Sequence, residues 1–166
     1  MAQDRLVQRA SLIVRSLWAG CLLMGGANHA RTLLQQGLFW DYGGVAWPSA
    51  VYWSSLTVVD PIAAVLLFAR PKLGVVATVA VIVTNVIHNL AVTARYVPDG
   101  EFLTRASHPF ILSQIGFMLF VGATARIAWK GIASGRKTHP LQIARTSAMD
   151  GKRMFRRSSV PPSRNQ

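Results

Sequence analysis

Three polar residues interrupt the most apolar part of this chain. The run from Leu73 to Ala94, LGVVATVAVIVTNVIHNLAVTA, holds Asn85, His88 and Asn89, and an acid, Asp60, stands beside Pro61 in a second apolar run. Asn85, His88 and Asn89 are spaced i, i+3 and i+4, so a helix places all three on one face. Together with Asp60 they supply amide donors and acceptors, an imidazole and a carboxylate. That chemistry suits either a binding site or a hydrogen-bonded lock between helices. An ionised acid at the centre of a membrane helix costs about 2.5–3.5 kcal/mol, so Asp60 must face the protein interior, paired or protonated. Pro61 removes the donor to the Thr57 carbonyl and favours a bend at the acid. Interhelical hydrogen bonds in membranes contribute only about 0.6 kcal/mol on average, a weak reason to keep a central acid. A site is therefore the preferred reading and a helix lock the alternative.

Sharper chemistries lack support. His29 and His88 could hold a haem, and Asp60 could complete a metal site with them. However, no His-x-x-x-His or Glu-x-x-His spacing occurs in any apolar run. No serine, threonine or cysteine stands in a nucleophile motif, so no catalytic residue is assigned and an enzyme is not the expected class. His108 and His139 carry no signal. With Cys21 as the single cysteine, a disulfide, a CxxC pair and a thiolate cluster within one chain are excluded.

The elements that must carry these residues follow from composition. The chain has 166 residues, of which 51% are hydrophobic and 14% charged, with a mean hydropathy of +0.32. Soluble domains average about 25% charged residues, so a membrane protein is indicated. A hydrocarbon core of about 30 Å needs roughly 20 apolar residues per helix. Four segments qualify: 11–30, 48–69, 73–94 and 109–129. Pro48 and Pro109 open the second and fourth at a favoured first-turn position, and Arg70–Lys72 is a tight break between the second and third. The fold expected is an all-α, integral membrane, four-helix antiparallel bundle over residues 1–137. A flexible basic tail, 138–166, is expected to follow.

The net charge of +12 suggests nucleic acid until its placement is considered. Ten of the eighteen basic residues lie from Arg126 onward, with Asp150 the one acid among them. A basic tail beside apolar runs suits an anionic bilayer surface, where Lys152, Arg153, Arg156 and Arg157 would sit, and no nucleic-acid partner is expected. Fifteen basic residues fall on the side of the termini and the Arg70–Lys72 turn, and three on the other, which predicts cytoplasmic termini. The segment SLWAGC resembles a lipoprotein cleavage site, and a cleaved signal ending near Gly26 is a second rival. The apolar residues after Cys21 and three further spans favour retention of the first segment as a span. Arg15 is expected to snorkel to the cytoplasmic interface, and Ser16, Gly20 and Gly116 to permit close helix contact.

Depth then gathers the polar residues. At 1.5 Å per residue, Asp60 lies about 18 Å from Pro48 and Asn85 about 15 Å from Arg95, at one level near the bilayer centre. His88, Asn89, Gln114 and Ser55 lie about one turn further out, with His29 at the outer rim. The candidate ligand-binding set is thus Asp60, Asn85, His88, Asn89, Gln114, Ser55 and His29, with Tyr52, Trp53 and Trp47 covering a ring or tail. Asn85 and His88 are expected to face Asp60 across a water-accessible space.

The stretches RSLWAGCLLMGGANH, Arg15–His29, and VDPIAAVLLFARPKLGVVATVAVIV, Val59–Val83, resemble the DoxX-like group of small bacterial four-helix membrane proteins. Asp60 stands about where such proteins often carry a glutamate, and Pro61 where a glycine is usual. The resemblance implies the bacterial inner membrane, a quinone-like ligand and membrane-complex subunits or a homo-oligomer as partners. The expected function is binding of a small amphipathic or quinone-like molecule in an outward-facing pocket. The alternatives are a non-catalytic interaction protein, of assembly or immunity type, and a proton or solute transporter using Asp60. The charge count makes a direct prediction: reporter fusions at Pro71 and Gln166 read cytoplasmic, and fusions near Asp41 and Gly100 read external. An external signal at Gln166 overturns the orientation.

Overall fold

The computed structural model describes residues 2–158, with side chains described over 2–133. The described residues form five helices: α1 (Ala2–Gln36), α2 (Trp47–Ala69), α3 (Pro71–Tyr96), the single-turn α4 (Phe102–Ala106) and α5 (Pro109–Ser158). Among the described residues, α1, α2, α3 and the Pro109–Ala133 part of α5 are long and apolar enough to cross a membrane. The architecture is an all-α bundle. Each of α1 and α3 packs against both α2 and α5, while the α1–α3 diagonal is touched only lightly, so the four helices form a square. Sequential helices joined by short connections must run antiparallel, which is the up-down topology such a square requires.

Trp18, Leu22, Leu67, Val75, Ile82, Val86, Val121 and Ala128 fill the interior. Val58, Ile62, Val65, Val76, Val83, Ile87 and Leu119 are exposed on the outside, where lipid solvates them. The end carrying the chain's N-terminus and the Arg70 turn is termed proximal here, and the end carrying residues 37–46 and α4 distal.

The proximal half is closed by backbone-level contacts. Ser11 Oγ donates to the Ala128 carbonyl at 2.7 Å, joining α1 to α5, and Trp18 Nε1 donates to Thr124 Oγ1 at 3.1 Å one level higher. Gly131 lies so close to the Ser11 side chain and the Val7 carbonyl that no Cβ fits there. On the next seam, Gly74 of α3 abuts the backbone of Leu66 and Leu67 with equally little space. Arg15 does more than snorkel. Its Nη1 donates to the Leu67 carbonyl at 2.7 Å, one of the last four carbonyls of α2, which have no partner within their own helix.

Two further expectations differ from the structure. A Cβ on Gly20 or Gly116 would meet nothing within 4 Å, and Ser16 is exposed, so none of them makes the close contacts. Those contacts fall to Gly25, Gly26, Gly74 and Gly131, which lie on the faces turned inward. The backbone continues as helix through Ser158, where an irregular tail is expected from Thr138. Leu, Gln, Ala, Arg and Met in 141–157 favour that conformation. The side chains of Lys152, Arg153, Arg156 and Arg157, and all of 159–166, lie outside the described residues.

The packing at Gly74 yields a paired prediction. Gly74→Leu separates α2 from α3 and costs at least about 3 kcal/mol, whereas Gly20→Ala, facing open space, changes stability by less than about 1 kcal/mol. Denaturant titration of the detergent-solubilised variants measures both.

Candidate functional site

Above the sealed half, the four helices enclose space. One cavity of about 400 Å³ is bounded by Leu22, Gly25, Asn28 and His29 of α1, Asp60 of α2, Val81, Ile82 and Asn85 of α3, and Phe110, Gln114 and Phe117 of α5. A second, of about 580 Å³, lies distal to it, bounded by Thr32 and Gln36, Trp40 and Tyr42, Trp53, Asn89, Thr93, Tyr96 and Ile111. Asn28, His29 and Phe110 belong to both walls, so the two spaces adjoin. Met24 and Ser113 line the inner cavity and are also exposed on the outer surface, which puts a mouth in the seam between α1 and α5.

Asp60 forms the floor. Its side chain is 6% exposed, yet it makes no hydrogen bond or ion pair with any described residue. It is turned toward α1: a Cβ on Gly25 would stand 2.9 Å from Asp60 Oδ2, and one on Gly26 would stand 2.9 Å from Pro61 Cδ. Two adjacent glycines are what allow an acid and a proline ring to seat against α1. Asn85 lines the same cavity, but no bond joins it to Asp60.

The polar residues above the floor are organised by Asn89. Trp53 Nε1 donates to Asn89 Oδ1 at 2.9 Å, and Asn89 Nδ2 donates to Gln114 Oε1 at 2.6 Å and to Asn85 Oδ1 at 3.2 Å. One amide thereby links α2, α3 and α5, and Asn85 Nδ2 is left free to donate into the cavity. Such a connected network pairs the Trp53 indole and three side-chain amides with one another and sets the rotation of each helix.

The distal wall is aromatic. Trp40 and Tyr42 lie with ring centroids 4.6 Å apart, and Tyr42 and Trp53 5.0 Å apart. Tyr42 reaches this position with φ 54°, and the following Gly43 and Gly44 also have positive φ. Gly43 N donates to Asp41 Oδ1 at 3.0 Å, and Ala46 N donates to Tyr96 Oη at 2.9 Å, tying the turn down. A bulky residue held in the left-handed region costs on the order of 1–3 kcal/mol and is sustained only where the surroundings fix it.

Of the expected set, Asp60, Asn85, Asn89, Gln114, His29 and Trp53 come together around the two cavities. Four do not. Ser55 is exposed and donates to the Tyr52 carbonyl of its own helix at 2.7 Å. Trp47 is 63% exposed at the start of α2 and lines neither cavity. His88 lines neither cavity and packs its ring on Tyr52, centroids 4.4 Å apart, and edge-on to Trp53 at 5.5 Å. His88 Nε2 and Tyr52 Oη are both buried there without a hydrogen-bond partner. His29 and His88 thus share no common space, and among the described residues no three His, Cys, Asp or Glu side chains gather as a metal site.

Several lining residues carry little signal in the sequence. Cys21, Gly25 and Asn28 belong to the cavity wall, and their i, i+4, i+7 spacing is the one trace of it. Phe110 and Phe117 read as ordinary membrane aromatics. No protein-family model matches the chain, nor does any curated protein or solved structure.

The Asn89 network carries its own test. Asn89→Leu leaves the Trp53 indole and two amides without a partner and destabilises the bundle by about 1–3 kcal/mol, whereas Gln114→Leu, at the network's edge, costs less. Thermal unfolding followed by circular dichroism reads both, and equal losses would deny Asn89 its central place.

Proposed function

We propose that this chain is a small-molecule-binding membrane protein that takes the polar head of an amphipathic ligand onto Asp60 and Asn85. The apolar walls of the bundle hold the rest of the ligand. One observation carries the reading: a buried acid with no hydrogen-bond or ion-pair partner among the described residues faces a cavity of about 400 Å³, within the size range of ligand pockets. Intramembrane carboxylates face a partner, a cavity or a ligand path, and Asp60 has the second without the first. A quinone-like ligand, the version implied by the DoxX-like resemblance, would take its hydrogen bonds from Asn85 Nδ2 and the His29 imidazole.

Closure of the proximal half by Trp18, Leu67, Val121 and Ala128 supports a one-sided site over a passage for solutes. The open cavities favour a binding protein over an interaction protein whose polar residues merely lock helices. With the termini on the cytoplasmic side of a bacterial inner membrane, the site opens toward the external leaflet. Membrane-complex subunits or a second copy of the chain would be its protein neighbours.

Mass spectrometry of lipid extracts from purified protein tests the reading. Wild type retains a molecule that Gly25→Leu, whose side chain fills the space beside Asp60, loses by about tenfold or more. Asp60→Asn keeps the fold, since an amide occupies the same volume without the charge, yet retains less of that molecule. Equal extracts from all three proteins would end the proposal.

A further inference from the structure

Ten of the eighteen lysines and arginines have described side chains, and none of these ten lines either cavity. Basic side chains are common enough here that their exclusion from both walls is informative. The walls offer a carboxylate with no counter-charge among the described residues at the floor and a run of electron-rich rings, Trp40, Tyr42 and Trp53 with Tyr96, around the entrance. Aromatic faces attract cations through the ring quadrupole, and clusters of such rings bind quaternary ammonium groups. Held against Asp60, a cation supplies the positive partner that the acid lacks and offsets the cost of an ionised carboxylate at that depth.

We infer that the ligand is a lipophilic cation, a protonated or quaternary amine on an apolar body, which passes the aromatic entrance and settles against Asp60. This rests on the small-molecule reading above and narrows it to a chemical class. Asn28, His29 and Phe110 stand where the two cavities meet, so a ligand moving from rings to acid passes them. The mouth between α1 and α5, bordered by Met24 and Ser113, gives its apolar body contact with the lipid.

Protein in lipid nanodiscs is titrated calorimetrically with decyltrimethylammonium and with its uncharged tert-butyl isostere, the heat of protein-free nanodiscs being subtracted. Alkylation of Cys21, the single cysteine and a wall residue of the inner cavity, is followed with and without each probe. The expected result is saturable binding of the cation, protection of Cys21 by it, and affinity for the isostere at least about tenfold lower. Asp60→Asn loses the preference for the cation. Trp40→Leu with Tyr42→Leu, altered outside the buried core, weakens the cation and leaves the isostere unchanged, which separates a binding effect from a folding defect.

Equal affinity for both probes overturns the cationic class while leaving a small-molecule site in place. Binding of neither probe also overturns it. In that case the retained molecule in the Gly25→Leu extracts decides separately whether any small-molecule site survives.

Discussion

The close approach of α1 to α2 at Gly25 and Gly26 governs the distal half of this protein. Asp60 and Pro61 are poorly suited to a helix interface, one for its charge and the other for its ring. They are accommodated because the opposing helix presents no side chain at that level. The acid thereby turns toward the centre of the square instead of toward lipid. Its neighbours then follow from what the membrane denies them: without water, Asn85, Asn89, Gln114 and the Trp53 indole must satisfy one another. The floor of the cavity and the network above it are thus two answers to the same absence of solvent.

Depth along the membrane normal was legible in the sequence, and rotation about each helix axis was not. The spans, the prolines that open them and the common level of Asp60 and Asn85 follow from residue counts multiplied by a fixed rise. Which side of a helix faces inward depends on contacts with other helices, and here hydropathy is silent because lipid and core are equally apolar. His88 and Asn89 illustrate the gap. Neighbours in sequence, they point about 100° apart, so Asn89 enters the bundle while His88 lies against Tyr52. Asp60 shares a cavity with Asn85 of α3, as the sequence suggests, while its close contact with Gly25 of α1 carried no signal there. The glycines that decide such matters cannot be ranked from the sequence, since Gly20 and Gly26 look alike until their facing residues are known.

The aromatic entrance rests on local backbone chemistry more than on hydrophobic burial. Asp41, Gly43 and Gly44 shape a turn that carries Tyr42 against Trp53, and Tyr96 holds the end of that turn from another helix. Rings fixed in this way need little ordering when something binds between them, which reduces the entropic cost of association.

Arg15 imposes a mechanical consequence. By reaching across to the last turn of α2, it ties the first two helices at one level, while Ser11 and Gly131 tie α1 to α5 near the same end. With Gly74 of α3 seated on α2 at the same end, all four helices are gripped near the base, and no hydrogen bond among the described residues fastens the seam between α1 and α5 beside the cavity. A beam clamped at one end bends most at the other. Thermal motion that would otherwise shear the whole bundle is directed into opening and closing that seam, leaving the helix ends at the base in register.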